Sequence, residues 1–131
     1  MFISREYDYA IRVVRALAGK GRLTVGQICE VEHIPQPYAY KILKKLERAG
    51  LLTGYRGTQG GYELAVDPAE VNLYGIYEAM EGRLHISECM REGYACPNNR
   101  SGGCGVHRAL RSIQEQFIKQ LRESRLSDLI S

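Results

Sequence analysis

Three cysteines, Cys89, Cys96 and Cys104, fall within sixteen residues of a 131-residue chain, separated by six and seven residues. Thiolates at such separations, in a segment rich in glycine (Gly93, Gly102, Gly103, Gly105), suit an iron–sulfur cluster, which needs soft sulfur donors and a backbone able to turn closely around it. His107 follows Cys104 by three residues at the start of a helical pattern and is the candidate fourth ligand. No CxxC pair is present, so a structural zinc knuckle is the weaker metal reading. A metal-free thiol–disulfide switch stays open, because Arg91, Arg100 and Arg108 make the segment electropositive and favour thiolates. Cys29 stands apart on the apolar side of a short helix and reads as a small core residue. His33 and His85 are isolated and read as surface or structural residues.

The second chemical signal is basic. Residues 38–56 hold Lys41, Lys44, Lys45, Arg48 and Arg56 against one acid, Glu47. The net charge of +3 divides unevenly, with ten Lys/Arg against six Asp/Glu in residues 1–66 and eight against nine in residues 67–131. A local excess of this kind suits a polyanion such as DNA.

Elements must position these groups. Tyr7, Ala10, Ile11, Val14, Leu17 and Ala18 recur at helical spacing and predict a first helix closed by Gly19. Thr24 is a candidate N-cap for a short second helix carrying Val25, Ile28 and Cys29. Pro35 and Pro37 open a third helix, running to about Ala49. Its core face is Ala39, Ile42, Leu43 and Leu46, and its opposite face is Pro37, Tyr40, Lys41, Lys44 and Arg48, with Lys45 on the flank. Two short β-like runs, 51–56 and 62–66, flank the glycine-rich turn 57–61 and predict a hairpin. Asn72 caps a further helix bearing Leu73, Ile76, Tyr77 and Met80. Val106, Leu110, Ile113, Phe117 and Leu121 then form the apolar stripe of a long last helix, suited to antiparallel pairing with a second copy. The fold class expected is mostly α with a small β-hairpin wing: a winged helix-turn-helix plus a long C-terminal dimerisation helix. The division expected is 1–66 for DNA binding, 67–86 as a connecting helix, 87–105 as a cysteine-rich cluster-binding loop and 106–131 for dimerisation.

Composition narrows the classes further. At 44% hydrophobic and 25% charged residues the chain is ordinary for a folded domain. Charges interrupt every apolar run well short of a membrane span, and the first residues lack the pattern of a signal peptide, so a cytoplasmic location is expected. No Ser/His/Asp, GxGxxG or P-loop arrangement is present, so an enzyme is not expected. An iron–sulfur electron carrier, or a winged-helix module that binds no DNA, are the alternatives from other classes.

The run Tyr7-Asp8-Tyr9-Ala10-Ile11-Arg12, the wing Arg56-Gly57-Thr58-Gln59-Gly60-Gly61-Tyr62, the three cysteines in a glycine-rich loop and the ending Leu126-Ser127-Asp128-Leu129 resemble the IscR/NsrR-type regulators of the Rrf2 family. The resemblance covers essentially the whole chain. It implies a cytoplasmic, homodimeric transcription regulator whose affinity for a near-palindromic DNA operator follows the state of an iron–sulfur cluster, 2Fe–2S favoured over 4Fe–4S. It implies Cys89, Cys96, Cys104 and His107 as ligands, with Asp8 the alternative fourth. It places Gln36, Tyr38, Tyr40 and Lys41 near base edges, and Lys44, Lys45 and Arg48 on phosphates. Arg56, Thr58 and Gln59 lie on a wing at the minor groove, with Thr24 also at the DNA.

Overall fold

The computed structural model describes residues 3–98 and 103–130. Helix α1, Arg5–Leu17, starts where the Ser4 hydroxyl accepts the Tyr7 amide at 3.1 Å, and Glu6 and Asp8 complement the helix dipole in its first turn. It packs on three other helices, so its buried stripe is wider than the sequence spacing predicts. Val13 and Ala16 are buried beside Tyr7, Ala10, Val14 and Leu17, while Ile11 is only half-buried.

Helix α2, Val25–Glu32, opens with a capping box in which Thr24 Oγ1 accepts the Gln27 amide at 3.1 Å and Gln27 Oε1 accepts the Thr24 amide at 2.8 Å. His33 ends it in the left-handed region, at φ 55°. Its last residue, Glu32, is buried to 8% exposure and takes a two-pronged contact from the Arg15 guanidinium, which ties α2 to α1. Helix α3, Gln36–Arg48, starts on Pro35 and Pro37, and buries the four residues that its spacing predicts: Ala39, Ile42, Leu43 and Leu46. Cys29 packs half-buried against this three-helix core, and burial pushes its thiol pKa up.

Strands β1, Leu52–Tyr55, and β2, Gly61–Leu64, pair antiparallel from Leu52 opposite Leu64 to Tyr55 opposite Gly61. The α1–α2 connection adds a partner that periodicity does not reveal. Leu23 and Tyr62 exchange both backbone hydrogen bonds, at 2.9 and 2.8 Å. Gly61, at φ 133°, permits this approach, since a Cβ there would collide with the Leu23 carbonyl.

Helix α4, Leu73–Glu81, is capped by Asn72 and packs on both α1 and α3. The main core therefore runs on from residues 1–66 through Val71, Ile76 and Met80 to Leu126 of the short helix α6, Leu126–Leu129. Residues 82–104 hold only a 3-10 turn at Glu88–Met90 among the described residues. Helix α5, Gly105–Glu123, then returns to α4, where Leu121, Phe117 and Ile118 pack with Tyr74 and Leu84. Among the described residues no helix is long and apolar enough to cross a membrane.

Ile42 is fully buried where the first three helices meet. Ile42→Ala should destabilise the fold by about 2–5 kcal/mol. Urea unfolding followed by circular dichroism checks this, and a loss below about 1 kcal/mol would place Ile42 outside the close-packed centre.

Candidate functional site

The exposed side of α3 carries Gln36, Tyr38, Tyr40, Lys41, Lys44 and Arg48. Gln36 Nε2 donates to Tyr40 Oη at 3.3 Å, and the Tyr38 ring meets Tyr9 of α1 edge-on at 5.8 Å between centroids. These contacts fix two aromatic side chains in positions where 43% of Tyr38 and 50% of Tyr40 stay open to a partner. Thr24 is exposed, but its side-chain oxygen already serves the capping box.

On the wing, Arg56, Thr58 and Gln59 are exposed around a turn closed by the Gly60 amide on the Gly57 carbonyl at 2.9 Å. Arg22, which sequence reasoning passed over, braces this wing. Its guanidinium donates to the Gln59 carbonyl at 2.7 Å and lies over the Tyr55 ring at 3.3 Å from the centroid. Its only signal in the sequence is a cation among the glycines that end α1.

The basic cluster is less free than its composition suggests. Glu6 of α1 accepts from Lys41 Nζ at 2.7 Å and pairs with Lys45 Nζ at 3.5 Å, and Lys45 also reaches the Met80 carbonyl at 3.3 Å. Lys44 pairs with Glu47 at 3.8 Å. Among the described residues no carboxylate lies in ion-pair range of Arg48 or Arg56. The hydrogen bond from Lys41 holds the Glu6 carboxyl below its usual range, with both lysine charges assisting, and Lys41 is correspondingly raised.

The proposed ligand residues are dispersed. Cys89, Cys96, Cys104 and His107 are each half-buried. Cys89 Sγ lies 3.3 Å from Ser87 Oγ, and Cys104 stands at the start of α5 with no side-chain capping bond. His107 lies in the first turn of α5 and lines a cleft with Met90 and Arg111. Asp8 is ion-paired with Arg12 at 3.0 Å on α1. Three thiols and an imidazole suit an iron–sulfur centre by donor chemistry. Among the described residues, however, no three His, Cys, Asp or Glu side chains converge as a metal site. Arg91 is paired with Glu88 at 3.1 Å, while Arg100 and Gly102 lie outside the described residues.

The apolar stripe of α5 divides in two. Leu121 is buried within the chain and Phe117 is half-buried against the same cluster. Leu110 is half-exposed, and Val106 and Ile113 are 68% and 56% exposed.

Three helices, a two-stranded wing and a polar, cation-bearing face on the third helix define a winged helix-turn-helix regulator. The chain belongs to the Rrf2 family, described as iron-dependent transcriptional regulators, whose family model matches residues 3–131. It is 28% identical over 135 residues to the HTH-type transcriptional repressor NsrR of Streptomyces coelicolor, across 100% of this chain and 89% of that protein. Its fold matches T. potens IscR with a TM-score of 0.77 at 23% identity, covering 98% of this chain and 85% of that one. It also matches the oxidized form of Staphylococcus aureus CymR with a TM-score of 0.75 at 22% identity, covering 100% and 97%. Proteins of this family bind DNA to regulate transcription.

Because its folded pKa is lowered, the Glu6 carboxylate contributes stability above its ordinary value of 4.5 and loses it as the pH falls through the folded value. Carboxyl NMR should place the Glu6 midpoint below 4.5 and return it toward 4.5 in Lys41→Met. An unmoved midpoint would show that Lys41 is not its partner in solution.

Proposed function

We propose that this chain is a homodimeric, operator-specific DNA-binding regulator whose affinity follows an iron–sulfur cluster held by Cys89, Cys96, Cys104 and His107. The observation that carries DNA binding is the exposed α3 face beside a braced wing, with Arg48 and Arg56 free of acidic partners among the described residues. Gln36, Tyr38 and Tyr40 would meet base edges, while Lys44 and Arg48 would meet phosphates. Arg56 would enter the minor groove, where the negative potential suits a guanidinium. Lys41 and Lys45 contribute less than their charge implies, because Glu6 already holds both.

A second copy would cover Val106, Leu110 and Ile113. Two such faces placed antiparallel would set two reading heads on a near-palindromic operator. Leu121 already serves the chain's own core, so the intermolecular contact rests on the first half of α5.

The cluster proposal rests on the donor set and on the NsrR relative. A bound cluster would supply a centre sensitive to redox state, nitric oxide or iron–sulfur supply. The protein's own part is to bring three half-buried thiols and His107 together from the 87–105 segment and the first turn of α5. A metal-free thiol switch is the second reading, favoured by the half-exposed Cys89 and Cys104 thiols and by the solved oxidized form of CymR.

Anaerobic reconstitution should give a brown protein. Cys96→Ala should fail to hold a cluster, and His107→Ala should hold one with an altered spectrum. An unchanged His107→Ala spectrum beside a perturbed Asp8→Ala would transfer the fourth ligand to Asp8. A colourless wild type that forms a disulfide on mild oxidation would favour the thiol switch.

DNA affinity should fall steeply as salt rises, and Arg48→Ala should flatten that dependence by about one phosphate contact. Anisotropy titrations check this, and a slope unchanged in Arg48→Ala would remove Arg48 from the phosphate backbone.

A further inference from the structure

A cleft of about 680 Å³ runs along one side of α5. Tyr74 of α4, Arg83 just beyond α4, Arg111, Lys119 and Arg122 of α5, and Arg125 in the α5–α6 turn line it. At 100° per residue, Arg111, Lys119 and Arg122 lie roughly 130–150° round α5 from the centre of the Val106–Ile113 stripe. A second copy seated on that stripe therefore leaves this side of the helix open.

The acids of the cleft are already engaged. Glu115 pairs with Arg111 at 3.5 Å, and Glu123 with Lys119 at 4.0 Å. Arg83, Arg122 and Arg125 have no carboxylate in ion-pair range among the described residues. The core holds one of these three cations by its side chain and another by its backbone. Arg122 lies over the Tyr74 ring at 4.8 Å, and that ring is itself only 3% exposed. The turn carrying Arg125 is pinned to the start of α4, with the Leu73 amide on the Ser124 carbonyl at 3.1 Å and the Leu126 amide on the Val71 carbonyl at 2.8 Å.

Three guanidiniums without acidic partners that line one cleft give it a positive potential that favours an anion. Guanidiniums bind oxyanions by two parallel hydrogen bonds, and an apolar occupant would desolvate them without return. The volume falls in the ordinary range for small-molecule sites, about 300–1,000 Å³. We infer that this cleft binds a small polyanion carrying clustered phosphoryl groups, of about nucleoside-diphosphate size. Met90 and His107 line the same cleft, so the ligand would lie beside the cysteine segment and give the regulator a small-molecule input. The site rests on the geometry of α4, α5 and the turns that follow them, and does not depend on the cluster.

The test is calorimetric titration of the metal-free full-length protein with pyrophosphate, and separately with citrate, at about 0.1 M salt to screen loose attraction. Pyrophosphate should bind with a dissociation constant below about 1 mM, and citrate more weakly. Arg83→Gln and Arg122→Gln should each weaken binding by about tenfold, while Lys44→Gln and Arg48→Gln on α3 leave it unchanged. Arg83 is exposed and outside the core, so its variant stays informative if Arg122→Gln unfolds. Absence of binding up to about 10 mM would overturn the proposal. Loss in the α3 variants with the cleft variants unaffected would also overturn it, since the anion would then be on the DNA face. Tighter binding of citrate would overturn the phosphoryl assignment.

Discussion

The hydroxyl of Tyr7 donates to the Leu73 carbonyl at 2.5 Å, and its ring stands edge-on to Tyr77 at 5.2 Å. The side chain is 1% exposed, and burial, reinforced by Tyr77, pushes its pKa up to about 12, so it remains a donor throughout the working range of pH. This contact joins α1, the central helix of the reading head, to α4, the element that carries everything C-terminal. It is the buried member of the polar contacts between the winged helix and α4, and it fixes their orientation more sharply than the surrounding apolar contacts, which are non-directional.

A second tie runs through charge. Glu6 and Ser4 at the start of α1 connect respectively to Lys41 and Lys45 on α3 and to Glu81 at the end of α4, the last contact at 2.7 Å. Lys45 closes the circuit on the Met80 carbonyl. The end of α4, from which the chain runs on toward Cys89, is therefore tied by hydrogen bonds to the lysines on one side of α3. The exposed parts of this network are screened by salt, so its role is to set orientation more than to add stability.

Much of this was legible in the sequence. The third helix shows a complete core face because its apolar residues have the helical period and its flanks are proline and glycine. Thr24 and Asn72 are caps with short polar side chains immediately before apolar runs. What escaped was non-local. The Leu23–Tyr62 bridge is one residue long and has no period to read, and Glu6 meets Lys41 across 35 positions. The α5 stripe reads as uniform, yet only its C-terminal end is covered. A 19-residue helix spans roughly 28 Å at 1.5 Å per residue, and a nine-residue partner only roughly 14 Å. The overhang leaves Val106 and Ile113 exposed. The cysteines were visible as a set, but among the described residues they do not converge, and no repeating pattern specifies how a segment of glycine, proline and asparagine would gather them.

Under the proposed function, the state of the cysteine segment controls the affinity of the DNA-reading face. Selection from a random duplex pool by the anaerobically reconstituted protein, followed by anisotropy of the enriched duplex with cluster-loaded and metal-free protein, tests it most directly. Cluster control predicts an enriched inverted repeat and affinities that differ by about tenfold or more between the two forms. Equal affinities of the two forms for that duplex would contradict it.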